Sequence, residues 1–107
     1  MPRIWQSVKK TRDFKKITSS GVKYQSPAFL LFYSVSDLPH LGLIVSKKVG
    51  FAVKRNRAKR LLRVIFSELM PKTGTFIIIA KSTINDFSYQ ELQSFLKKII
   101  KKLVPDI

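Results

Sequence analysis

The chain has no cysteine, which excludes disulfides, thiolate nucleophiles and cysteine-ligated zinc sites together and fits a reducing compartment. Acids are scarce too. Six Asp and Glu stand against 21 Lys and Arg in 107 residues, a formal charge of +15. Asp13, Asp37, Glu68, Asp86, Glu91 and Asp106 fall on separate predicted elements. A self-sufficient nuclease would need paired carboxylates for metal ions, or His and Lys placed for acid-base work. The single histidine, His40, sits beside Pro39 in a predicted turn, and Asp13 lies among cations that suit a local ion pair. Gly21, Gly42, Gly50 and Gly74 never cluster into a phosphate-cradling loop. No catalytic residue is expected on the protein, and no metal-binding residue is assigned.

Long apolar runs are also missing. The longest, Ala28 to Tyr33, is strand-sized and far from the roughly 18 to 20 residues of a membrane span. Met1 to Lys10 lacks the apolar stretch of a signal peptide. A cytoplasmic protein is expected.

What the chain does have is enough apolar material for a core, 45% hydrophobic and 11% aromatic residues with eight Phe, at a length suited to one domain spanning residues 1–107. It also has a concentrated charge. Lys47, Lys48, Lys54, Arg55, Arg57, Lys59, Arg60 and Arg63 follow one another with no acid until Glu68. Like charges this dense repel in an isolated protein, so a neutralising partner is expected, and a phosphate backbone is the natural one.

Periodicity gives the elements. Val8, Thr11, Phe14 and Ile17 recur at three-residue intervals among lysines and arginines, predicting a short amphipathic helix over 8–20 stopped by Gly21. Ala28–Val35 reads as a strand and Leu41–Val49 as its hairpin partner across a turn at Ser36–His40. A long helix is expected over Ala52–Leu69, with Ala58, Leu61, Leu62, Ile65 and Leu69 on a core face and Asn56, Lys59, Arg60 and Arg63 opposite. Thr75–Ala80 is a buried strand rich in isoleucine. A capping box of Ser88 and Glu91 then starts a last helix with an apolar stripe of Leu92, Phe95, Leu96, Ile99, Ile100 and Leu103. The class is α+β, a two-layer sandwich in the order helix, strand, strand, helix, strand, helix.

Two surfaces can bind. The start of the long helix offers backbone amides and a positive dipole end among Lys54, Arg55 and Arg57, suited to phosphate oxygens. Asn56 reads either as an amide that touches a base or ribose or fixes the neighbouring arginines, or as a helix-start residue. Phe14 and Ile17 can join one of two alternating sets on the first strand, either Phe29, Leu31 and Tyr33 or Leu30, Phe32 and Ser34. Such a group either packs as core, the more common fate of Phe, or lines a groove for single-stranded bases. A sheet covered by long helices on one side only leaves the other set available.

The string SKKVG at Ser46–Gly50 followed by AVKRNRAKRLLR at Ala52–Arg63 resembles the signature of the bacterial ribonuclease P protein family. That family's hallmark is an Arg-Asn-Arg helix after a Ser-Lys-Lys strand end, here Arg55, Asn56 and Arg57. The likeness runs from about Lys9 to Leu103 and includes Arg12-Asp13-Phe14, Gly21, the aromatic strand, the IIIA strand and the final helix. It implies a left-handed βαβ crossover, with a central cleft between the sheet and the first helix. It further implies that a ribonuclease P RNA, using Mg²⁺, cuts precursor tRNA at the mature 5′ end while the protein binds and positions. Carried over by motif, Phe14, Ile17, Phe32, Ser46, Lys47 and Lys48 match the cleft for the 5′ leader. Arg55, Asn56, Arg57, Lys59, Arg60 and Arg63 match the face toward the catalytic RNA. Thr18 stands where many members have a second aromatic, and Phe32 replaces a frequent Tyr. The competing reading is a general or ribosomal RNA-binding domain without a processing role.

Overall fold

In the computed structural model of the chain, the described residues are 6–7, 15–17, 19, 21–69 and 71–103. Five strands, β1 (Gln6–Ser7), β2 (Val22–Gln25), β3 (Phe29–Ser34), β4 (His40–Ile44) and β5 (Thr75–Ala80), form one sheet in the order β1-β4-β5-β3-β2. β5 occupies the centre because Phe76, Ile77 and Ile78 give it apolar side chains on both faces, and it is buried along nearly its whole length. It pairs with β3 antiparallel and with β4 parallel.

The expected hairpin between the first two predicted strands does not form, since β5 lies between them. Alternating patterns identify strands without saying which pair, and a strand apolar on both faces excludes an edge position. The parallel pair β4 and β5 is joined by the long helix, so β4, helix and β5 make the βαβ unit of the α+β sandwich. Two strands went unforeseen. β2 is a mostly exposed edge strand of polar composition, and β1 has only two residues. Helical residues 15–17 and 19 lie within the predicted first helix. Gly21 ends them, its amide donating to the Ile17 carbonyl at 2.7 Å.

The register fixes the two faces of the sheet. Leu41 and Leu43 of β4, Phe76, Ile78 and Ala80 of β5, and Phe29, Leu31 and Tyr33 of β3 share one face. That face meets Ala58, Leu62, Ile65 and Phe66 of the long helix (Ala52–Leu69) and Leu92, Leu96, Ile99 and Ile100 of the last helix (Tyr89–Leu103) in a single core cluster. Phe76 is its hub, with ring centroids 5.2 Å from Tyr33 and 5.3 Å edge-on from Phe66. The set Phe29, Leu31 and Tyr33 is therefore the core set. Leu30, Phe32 and Ser34 point the other way, half-buried.

The predicted bounds of the long helix and β5 hold, and so does the capping box. The Ser88 amide donates to Glu91 Oε1 at 3.0 Å, and the Glu91 amide to Ser88 Oγ at 3.2 Å. β4, however, stops at Ile44 rather than Val49. Residues Lys47–Val49 wind into a single 3₁₀ turn, capped by Ser46, whose Oγ accepts from the Lys48 amide at 3.3 Å. A serine hydroxyl offers the backbone a local alternative to the ladder, and burying Val49 draws the chain inward.

Candidate nucleic-acid interface

The 3₁₀ turn places Lys47 and Lys48 in solvent immediately before the long helix. Gly50 makes the corner at φ 133°, a region that side chains disfavour, and its amide is held by the Lys47 carbonyl at 3.1 Å. A Cβ there would fall 2.9 Å from Lys54 Cδ, so the Lys54 stem lies along the glycine backbone. The first helical bond runs from the Arg55 amide to the Phe51 carbonyl at 3.0 Å. The amides of residues 52–54 thus precede the helical ladder, in a first turn containing no acid.

The cations of the helix are not equivalent. Arg60 and Arg63 are exposed with Asn56, while Arg55, Arg57 and Lys59 are half-buried. Arg57 is clamped: its Nη1 donates to Asn85 Oδ1 at 2.8 Å, and Asn85 Nδ2 reaches the Lys54 carbonyl at 3.4 Å. Asn85 belongs to the short 3₁₀ turn Ile84–Asp86, whose Ile84 is anchored in the core. The brace holds one guanidinium in place beside the start of the helix. Arg55 Nε is buried and makes no hydrogen bond, a donor left to an unmet acceptor. Asn56 stands at the fifth position of the helix, past the cap, and its exposed amide can both donate and accept, so the helix-start reading fails.

At the far end the one acid of this helix is engaged by neutral donors. Tyr89 donates its hydroxyl to Glu68, and Gln93 Nε2 donates to Glu68 Oε2 at 3.1 Å. The carboxylate bond, with some burial, pushes the Tyr89 phenol above its ordinary value.

The predicted cleft residues distribute as follows. Phe14 and Thr18 lie outside the described residues, and Ile17 is half-buried in the helical segment. Phe32 faces away from the two long helices, level with Lys23 of β2 and Ile77 of β5. Ser46, Lys47 and Lys48 follow the C-terminal end of β4, beyond Ile44, which is level with Ile79 and Leu30. The cation pair therefore lies at one end of the sheet and Phe32 nearer its middle, about two strand spacings from β4, or roughly 10 Å. Among the described residues no three His, Cys, Asp or Glu gather where they could hold a metal ion, and no helix is long and apolar enough to cross a membrane.

This arrangement has counterparts among known proteins. The family model described as Ribonuclease P matches residues 4–104. The chain belongs to the ribonuclease P protein family. A ribonuclease P protein component from Lactococcus lactis is 39% identical over 98 residues, covering 88% of this chain and 84% of its own. One from Nitratiruptor is 32% identical over 100 residues, with 92% of both chains covered. The solved ribonuclease P protein of Staphylococcus aureus superposes with a TM-score of 0.80 at 29% identity, covering 91% of this chain and 94% of that one. The Thermotoga maritima ribonuclease P protein gives 0.78 at 25% identity, covering 91% and 96%. The α+β architecture around the cationic helix is thus that of the ribonuclease P proteins. Sequence reasoning identified the arginines of this site but missed Asn85, which no local pattern connects to a helix 28 positions earlier.

Proposed function

We propose that this ribonuclease P protein component acts by binding and positioning, while the chemistry belongs to the RNA. In this reading Arg55, Asn56, Arg57, Lys59, Arg60 and Arg63 face ribonuclease P RNA. Phe14, Ile17, Phe32, Ser46, Lys47 and Lys48 receive the 5′ leader of precursor tRNA. The supporting observation is the braced cationic helix: charges of one sign, one of them fixed by Asn85, and no acid before Glu68 to neutralise them from within the helix. Phosphate contacts fix register, and a half-buried fork such as Arg57 suits that task better than a free lysine.

Magnesium ions are assigned to the RNA, whose phosphate oxygens are hard ligands of the kind they prefer. Asp37, Glu68, Asp86 and Glu91 are spread over a loop, two helices and a turn, so the described carboxylates offer no shared site. The cytoplasm is the compartment where precursor tRNA and a cysteine-free RNA-binding protein would meet.

The deciding experiment adds the purified chain to a bacterial ribonuclease P RNA at low magnesium. Restored cleavage of precursor tRNA at the mature 5′ end is expected, with no cleavage by the protein alone. Failure to stimulate, with the RNA still bound, would return the chain to the general RNA-binding reading.

A further inference from the structure

We infer that Phe51 is a base-stacking contact for an unpaired nucleotide of the RNA that lies along the long helix. The inference rests on the RNA-facing reading of that helix and adds a contact outside the Arg-Asn-Arg string.

Phe51 is 85% exposed, while the other described phenylalanines, Phe29, Phe32, Phe66, Phe76, Phe87 and Phe95, are buried or half-buried. Its backbone is nevertheless fixed on both sides. Gly50 before it is tied to the Lys47 carbonyl and held at φ 133°, and the Phe51 carbonyl accepts the Arg55 amide. The ring therefore projects from a rigid corner rather than from a loose loop, so little backbone order remains to be lost on binding.

The surroundings select the partner. Lys47 and Lys48 precede the ring, and Lys54 follows with its stem against Gly50. An aromatic face among cations is the combination used for single strands: the charges track the phosphates while the ring takes a base. Val53, 80% exposed, is the one other large apolar side chain exposed at this corner. Two such residues flanked in the chain by exposed Lys47, Lys48 and Lys54 make a poor protein interface, whose centre is depleted of charge. A base within a paired A-form helix hides its faces, so the nucleotide must come from a loop, bulge or junction.

The test measures binding of a bacterial ribonuclease P RNA transcript across a salt series. Phe51→Ala is expected to weaken binding roughly tenfold or more while leaving the log-log salt slope unchanged, because no charge is removed. Phe51→Trp should retain affinity and Phe51→Leu should not, separating stacking from simple apolar contact. In a Trp5→Phe background, which removes the only native tryptophan, the Phe51→Trp indole should be quenched on RNA addition. Unchanged folding by circular dichroism is expected for a side chain this exposed. Wild-type affinity for Phe51→Ala, beside a flattened slope for Arg60→Ala, would overturn the stacking contact alone. No effect from either variant would overturn the RNA-facing reading as well. Altered self-association in sedimentation with unaltered RNA binding would assign the ring to a protein contact and also overturn the inference.

Discussion

Arg57 and Asn85, 28 positions apart, are joined by a 2.8 Å hydrogen bond that fixes a cation of the long helix to a turn leading into the last helix. The same asparagine reaches back to the Lys54 carbonyl, so the start of the helix and the guanidinium are held by one side chain. Charge and placement are thereby separable. Asn85→Ala keeps every cation but frees Arg57, so RNA affinity should fall several-fold with the salt slope intact. The lost bond should cost about 1 kcal/mol in urea unfolding. An unaltered affinity would mean that placement of Arg57 does not matter to the RNA.

Exposed Arg60 and Arg63 are expected to behave differently. Neither side chain has a packing role comparable to that of Arg57, so removing its charge should act through phosphate contacts alone. Arg60→Ala and Arg63→Ala should each lower the magnitude of the log-log salt slope by roughly one unit per lost contact, and weaken binding to all RNAs alike. Titrations of the two variants against matched wild type from low to moderate salt would reveal this. Parallel lines would remove these arginines from the interface.

The contrast between those arginines shows what a sequence can carry. The long helix, β5 and the Ser88–Glu91 cap were legible because their signals are local: a 3.6-residue period, a dense apolar run, and a reciprocal pair three positions apart. The Arg-Asn-Arg string was legible as a motif. Pairing was not, and the expected hairpin gave way because only the packed sheet shows that β5 needs a neighbour on each side. Likewise Arg55 and Arg57 look like Arg60 in a charge pattern, yet the first two are half-buried and the third is solvated. The bracing of Arg57 arises from its tertiary contact with Asn85, which no local pattern shows. Phe51 carries no local signal beside Gly50, and only its exposure distinguishes it.

Tyr89 and Glu68 tie the last helix to the long one and give a pH signature. The phenol is raised above 10.0 chiefly because it donates to the carboxylate. A group whose folded value is raised contributes stability that is present below its unfolded value and lost as pH rises through the folded one. The stability difference between wild type and Tyr89→Phe should therefore be constant from neutral pH toward 10.0 and shrink at higher pH. Because both proteins carry the same lysines, comparing them cancels the alkaline titration of the rest of the surface. A difference that grew with pH would contradict the bond to Glu68.

Phe32 offers a test of the cleft that leaves the cationic helix untouched. It lies on the face of β3 away from the core, level with Ile77 and Lys23, and is half-buried, so its ring edge is reachable. A hydroxyl added at that edge could hydrogen-bond a nucleotide. Phe32→Tyr should tighten precursor tRNA binding by the holoenzyme a few-fold, the effect of a net hydrogen bond of about 1 kcal/mol, and leave mature tRNA binding unchanged. The complementary Phe14→Ala should weaken precursor binding and spare mature tRNA. Only the precursor carries a 5′ leader, so the difference between the two substrates isolates the leader contact from general RNA affinity. Equal shifts for precursor and mature tRNA in both variants would move the leader away from this face of the sheet.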